Sequence, residues 1–309
     1  GSAVGAAVSG RRRGILGARW VECATMATLP PLHLDAQAMC ADLLRFDTTN
    51  LPGNERPAAE YLAGKLREVG LSPVLLEAAP TRTNLVVRLP GDGRAAPLLL
   101  SAHLDVVEAD PAHWKVPPFS GEVVDGCLWG RGAIDMKNMA AMTTAMLRMF
   151  ASQGRRFARD IIFAAVADEE AGCDLGSRFL VEQHRHLVEA EYAIGESGGF
   201  SLHLGDTTFY PIQVAEKGFC WVRARVRGEP GHGSMPRNDS AVIRLAQAID
   251  RLGTTPLPTH ATSYVRDFIA AVAAAQPRLV QPLVKLLGTP AIAGRITALR
   301  PDLSFARGF

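Results

Sequence analysis

Two apolar runs in this 309-residue chain end on acids or histidine. Leu98, Leu99 and Leu100 lead through Ser101 and Ala102 to His103 and Asp105, and Asp160 to Ala167 leads straight into Asp168, Glu169 and Glu170. Runs this short and this apolar suit strands covered on both faces. Helical patterns surround them. Asp35 can cap a helix to about Phe46. Tyr61, Leu62, Leu66 and Val69 share one stripe of a helix over Arg56–Val69, which Gly70 terminates. A Met- and Ala-rich helix runs from Lys137 to Phe150, and another covers about Leu175–Val188. Short strands are expected at Pro73–Glu77, Asn84–Leu89 and Tyr192–Gly195. The alternation predicts a layered α/β domain over residues 35–206.

In open α/β sheets, chemistry sits at the carboxyl ends of the strands. His103, Asp105, the Asp168–Glu170 triplet, Asp135 before the Lys137 helix, and Glu196 after Ile194 and Gly195 would all meet at one sheet edge. Neighbouring carboxylates repel each other, and a cation is a natural reason to gather so many. His103, Asp135, Glu170 and Glu196 suit the direct ligands of borderline-hard divalent ions. Asp105 can take the second imidazole proton and fix the tautomer. Glu169 beside them suits a general base acting on metal-activated water. Singly, these residues have plainer readings. A histidine after a strand is an ordinary loop residue, Asp-Glu-Glu suits a solvated loop, and Gly126, Gly130 and Gly132 suit turns.

The pattern changes after residue 206. Phe209–Ala215 and Phe219–Gly228 read as strands, the second alternating Phe219, Trp221, Arg223, Arg225 and Arg227 with Cys220, Val222, Ala224 and Val226. Asp239–Leu252 is an amphipathic helix ended by Gly253, and Ser263–Ala275 is another helix. Residues 207–309 thus read as a smaller α+β unit, and residues 1–34 as a flexible arm. Composition narrows the function classes. With 33 basic and 31 acidic residues the formal charge is +2, which gives no support to a nucleic-acid partner. Five scattered cysteines argue against a disulfide scaffold. No apolar run approaches the roughly 20 residues of a membrane span. A soluble, cytoplasmic protein is expected.

Several motifs follow one another in order: Ser101-Ala-His-Leu-Asp-Val-Val107, Trp114 with Pro117-Pro-Phe-Ser-Gly121, Trp129-Gly-Arg-Gly-Ala-Ile-Asp-Met-Lys137, and Asp168-Glu-Glu-Ala-Gly172. Together they closely resemble the co-catalytic zinc exopeptidase family of aminoacylases, Gly-X carboxypeptidases and succinyl-diaminopimelate desuccinylases. The resemblance implies a three-layer α/β catalytic domain with a smaller inserted α+β lid or dimerisation domain. It implies two divalent ions, zinc by default and cobalt or manganese as substitutes. His103 and Glu196 would hold one ion, Glu170 the other, and Asp135 would bridge them. Glu169 would be the general base and Asp105 the support of His103. His232, in Gly231-His-Gly-Ser-Met-Pro236, would reach a neighbouring subunit's site in a homodimer and polarise the scissile carbonyl. The implied reaction is hydrolysis of an amide bond in a small peptide or N-acyl amino acid.

Two departures stand out. Cys173 replaces a glycine common in the family, and with the ligand set already filled it is not assigned to a metal. The family also ends with a late histidine on the second metal, which nothing here matches. His260 is not assigned to that place. The chain is therefore expected to lack its C-terminal part, and an inactive member with a structural or weak metal-binding role is the alternative reading. Arg223 and Arg237 can meet a substrate carboxylate, but solvated surface or fold contacts are the plainer reading.

Overall fold

The computed structural model describes residues 29–197, 201–204, 207–214, 218, 222–235, 238–255, 262–286 and 289. Residues 1–28 of the expected arm, and His260 and Arg237, lie outside these. The chain divides after Glu196 into two compact units.

The first unit opens with α1 (Leu32–Leu44) and α2 (Arg56–Arg67), followed by the hairpin β1 (Val74–Ala79) and β2 (Arg82–Leu89) and then β3 (Leu98–His103). A two-stranded ribbon, β4 (Val123–Val124) and β5 (Cys127–Leu128), precedes α3 (Lys137–Ser152). β6 (Ile161–Val166), α4 (Ser177–Gln183), α5 (Arg185–Val188) and β7 (Tyr192–Ile194) complete it. The five-stranded sheet runs β1-β2-β6-β3-β7. β2 pairs with β1 and β6 antiparallel, whereas β3 pairs with β6 and β7 in parallel. Parallel neighbours need a crossover, and α3 lies within the one between β3 and β6.

Strand parity builds three layers. Phe163 and Ala165 of β6, with Leu85, Val87 and Leu100, pack against Met39, Leu43, Leu44, Leu62, Leu66 and Leu147 of α1, α2 and α3. Ile162, Ala164 and Val166 point the other way, with Val86, onto Leu180 and Val188 of α4 and α5. Every residue of β6 is buried, as its unbroken apolar run predicts. The expected three-layer α/β fold is therefore present.

Three local readings are corrected. α1 starts at Leu32 directly after the extended Pro31, so Asp35 sits inside the first turn and makes no cap. It is buried and pairs with Arg148 of α3 (3.0 Å), which also meets Glu68 (2.7 Å). The helix expected over 175–188 breaks at His184, where the backbone leaves the helical region and the ring packs edge-on against Phe179. α2 ends at Arg67, two residues short of the expected Val69, and Gly70 terminates it as expected, in the left-handed region at φ +79.

In the second unit, β8 (Leu202–Leu204) and β9 (Thr207–Phe209) form a hairpin. α6 (Ala241–Thr254) is capped by Ser240, whose hydroxyl accepts from the Ile243 N–H, and passes through Gly253. α7 (Ser263–Ala274), capped by Thr262, and the short α8 (Gln281–Leu286) follow. Of the strand expected over Phe209–Ala215, residues 210–214 form none apart from an isolated bridge residue at Ile212, and Ala215 lies outside the described residues. Residues 222–228 form no strand, and 219–221 lie outside the described residues. Alternation marks a segment that can pair, but a strand exists only where a partner takes its backbone groups. Among the described residues none pairs with 222–228. No helix among them is long and apolar enough to cross a membrane.

Candidate metal centre

β3 delivers His103 at its carboxyl end, and the chain stays extended to Val106. The Leu104 N–H donates to the Val166 carbonyl (2.8 Å). Thr48–Asn50 runs alongside: Thr48 Oγ1 donates to the Leu104 carbonyl (2.6 Å), and the Asn50 N–H to that of Val106 (2.9 Å). His103 and Asp105, two apart on extended chain, thus share a side and are 2% and 0% exposed.

His103 Nδ1 lies 2.9 Å from the main-chain oxygen of Asp105 and 3.4 Å from its Oδ1. The nearer partner is the carbonyl, because the Asp105 carboxylate has other donors. Its Oδ1 accepts from the Glu169 N–H (3.0 Å), and its Oδ2 from the Glu170 N–H (3.1 Å) and Asn50 Nδ2 (2.8 Å). On the far side of the ring, Nε2 is 2.8 Å from Asp135 Oδ1, 3.8 Å from Glu196 Oε2 and 3.9 Å from Glu169 Oε2. Burial pulls the His103 pKa down, but the Asp105 hydrogen bond and the Asp105 and Glu169 charges outweigh it and raise it to about 9. Burial likewise pushes Asp105 up, yet its bonds to His103 and Asn50 leave it below the ordinary value.

The Asp168–Glu170 triplet divides. Asp168, at φ +65, is buried. Its Oδ1 accepts from Arg82 Nη2 (3.0 Å) and Asn50 Nδ2 (3.1 Å), and its Oδ2 from the Leu175 N–H (3.0 Å). Arg82 in turn forks onto buried Glu55 (2.8 and 2.9 Å). Asn84 clamps the loop's base, accepting from the Ala167 N–H and donating to the Leu175 carbonyl. A Cβ at Gly176 would run into the Ala167 carbonyl. These contacts over-determine an unfavourable backbone and leave Glu169 and Glu170 facing His103.

Asp135 comes from the turn before α3. Gly132, at φ +94, packs so closely that a Cβ would meet Lys137 and Val106 at 3.0 Å. Lys137 is fully buried, and its Nζ donates to the carbonyls of Leu43 (3.1 Å) in the last turn of α1 and of Phe46 (2.7 Å) just beyond it. Burial lowers its pKa to about 8. Burial and then the Asp135 charge raise the pKa of both Glu170 and Glu196.

Two donor groups result, His103–Asp135–Glu170 and His103–Glu169–Glu196, each with its ligand atoms within 4.8 Å of one another. An imidazole nitrogen among carboxylate oxygens, with acids in excess, fits divalent cations such as zinc, cobalt or manganese. Cys173 is in neither group. The structure thus gathers His103, Asp105, Asp135, Glu169, Glu170 and Glu196. His232 belongs to the second unit, where it is exposed in a turn with Nδ1 2.8 Å from Ser234 Oγ. Sequence reasoning missed Asn50, Glu55, Arg82 and Asn84. Their one signal is polarity beside apolar positions, as at Arg82 and Asn84 ahead of Leu85–Val87, and it names no partner.

Residues 99–294 match the sequence profile of Peptidase family M20/M25/M40. This chain belongs to that family. The stretch matched to family M20/M25/M40 contains every proposed ligand, along with Glu169 and His232, but neither Asn50 nor Arg82. Aminoacylase-1 of Sus scrofa is 31% identical over 212 residues, covering 68% of this chain and 51% of that protein. The N-fatty-acyl-amino acid synthase/hydrolase PM20D1 of Xenopus tropicalis is 32% identical over 171 residues, covering 54% of this chain and 33% of that one. The chain spans about half the length of the aminoacylase it matches. Among solved structures, the M20 family metallo-carboxypeptidase Sso-CP2 of Sulfolobus solfataricus aligns at 20% identity with a TM-score of 0.48, over 53% of this chain and 38% of that one.

Proposed function

We propose that the chain hydrolyses the amide bond of a small N-acyl amino acid or peptide, using divalent cations held at the β3, β6 and β7 ends. One observation carries this reading: in a family M20/M25/M40 chain, two three-residue donor groups meet at one buried histidine. His103 and Glu196 would hold one ion and Glu170 the other, and Asp135 would serve both. Zinc is the first candidate, cobalt and manganese the next. Bound there, the ions supply Lewis acidity that activates water and polarises the carbonyl. Glu169 accepts the proton of the attacking water and returns it to the leaving amine. Asp105 holds the His103 ring and the backbone of both glutamates. His232, contributed across a homodimer of the second unit, steadies the developing oxyanion. The activities named for the relatives, aminoacylase-1 and an N-fatty-acyl-amino acid synthase/hydrolase, favour N-acyl amino acids over peptides, and a cytoplasmic setting goes with the reading.

The test pairs elemental analysis of the purified chain with a hydrolysis screen over dipeptides and N-acetyl, N-succinyl and long-chain N-acyl amino acids. Two equivalents of metal and turnover of one class are expected. Glu169→Ala should lower kcat by about 10³-fold while metal content holds. Undiminished turnover in that variant would remove Glu169 from the role of base.

A further inference from the structure

Asn50 stands outside the ligand set and outside the stretch that matches the family, yet its side chain touches both acids that organise the centre. Backbone pairing fixes its place. The Asn50 N–H donates to the Val106 carbonyl, the Val106 N–H donates to that of Thr48 (3.2 Å), and Thr49 bridges Val106 in parallel. From there Nδ2 reaches Asp105 Oδ2 at 2.8 Å and Asp168 Oδ1 at 3.1 Å. A carboxamide nitrogen has two hydrogens, so one neutral group supplies both bonds. The opposite orientation would aim its oxygen at two carboxylates, which settles the flip. The oxygen itself is buried with no hydrogen-bond partner. An unsatisfied buried acceptor is unfavourable, so this asparagine is held by its amide nitrogen at the expense of its oxygen.

We propose that Asn50 is a positioning residue for the metal centre. It ties the acid that receives the Glu169 and Glu170 N–H groups to the acid that anchors the other flank of the same loop. Asp105 and Asp168 come from the ends of different strands, and like charge would drive them apart. Asn50 bridges them without adding charge, so the loop keeps both glutamates turned toward His103. The inference rests on the metal-hydrolase reading above.

The experiment uses the full chain, first without metal. Amide hydrogen exchange is followed at Glu169 and Glu170, with Phe163 and Ala165 of β6 as internal references. Asn50→Ala should speed exchange at the two glutamates at least about tenfold while the β6 amides keep their protection. Asn50→Asp, of equal size but carrying a third negative charge, should speed it further. Zinc affinity measured by titration should fall about 10–100-fold in both variants, as for other residues that orient ligands. Unchanged exchange at Glu169 and Glu170 in either folded variant overturns the proposal, as does equal loosening of β6. If Asn50→Ala does not fold, Asn50→Asp alone decides by the same two readouts. A parent chain that binds no zinc refutes the metal-hydrolase reading, whereas a zinc-binding parent with indifferent variants refutes only the role of Asn50.

Discussion

Two groups of buried or half-buried charge lie side by side in the first unit and are built on opposite plans. In one, Arg82 forks onto Glu55 and also holds Asp168, and every member is nearly inaccessible to water. The Arg82 pKa is raised: burial opposes this, and the two acids outweigh burial. In the other, one histidine faces Asp135, Glu169, Glu170 and Glu196, and burial with mutual repulsion raises the pKa of Glu170 and Glu196. The first group has its own cation with a rigid fork. The second is short of positive charge and lies where side chains remain 42–56% exposed at Glu169, Glu196 and Asp135. Charge balance, more than the number of acids, separates scaffold from site. Asp168 and Glu169 are adjacent in sequence and fall on opposite sides of that line.

The comparison breaks most readily at Arg82. Arg82→Met strands Glu55 and Asp168 in the interior and should destabilise the fold by about 3–5 kcal/mol, read from urea unfolding. A loss below about 1 kcal/mol would mean that the scaffold group holds less than its burial suggests.

The next effect is in pH. The folded His103 pKa is raised to about 9 from an ordinary 6.5. A raised pKa stabilises the metal-free fold fully below the unfolded value, and the contribution disappears as pH climbs through the folded one. Metal-free protein should therefore lose stability between pH 6.5 and about 9 relative to a His103→Gln variant, in thermal unfolding with chelator present. Metal needs the neutral ring, so zinc affinity should rise across the same window by up to about tenfold per pH unit. A flat difference curve would show that the carboxylates do not hold a proton on His103.

The smallest change in stability is expected at Glu170, with the opposite sign to Arg82. Glu170→Gln removes repulsion from Asp135 and should leave the metal-free fold unchanged or more stable by up to about 1 kcal/mol. The same variant should bind zinc much more weakly. Clear destabilisation without metal would place Glu170 in the scaffold and erase the distinction.

Much of the fold was legible because buried strands carry their own signature. Leu98–Leu100 and Ile161–Val166 are apolar at every position, and both became interior strands. α3 began at Lys137 as its pattern implied. The site was legible for a related reason: residues at the ends of parallel strands share one edge, so His103 and the Glu169–Glu170 pair had to lie close once β3 and β6 were neighbours. Reading failed where a partner decided the outcome. Alternation over 222–228 carries no information about whether another segment will pair with it. Asp35 had the chemistry of a cap, but Arg148 of α3 claimed it.

By itself the sequence determined which residue types could reach the sheet edge and that acids would exceed cations there, since hydrophobic periodicity and the identity of the residues that follow each strand are local properties. Only the tertiary structure decided which acid serves which purpose. Asp168 turns inward to Arg82, the Asp105 carboxylate takes two backbone N–H groups while its carbonyl takes the imidazole, and Asn50 joins the two acids although it stands 118 positions before Asp168 in the chain. Hydrogen bonds and charge pairing act over a few ångströms whatever the separation along the chain. Their partners are therefore settled by packing, and no spacing in the sequence encodes them.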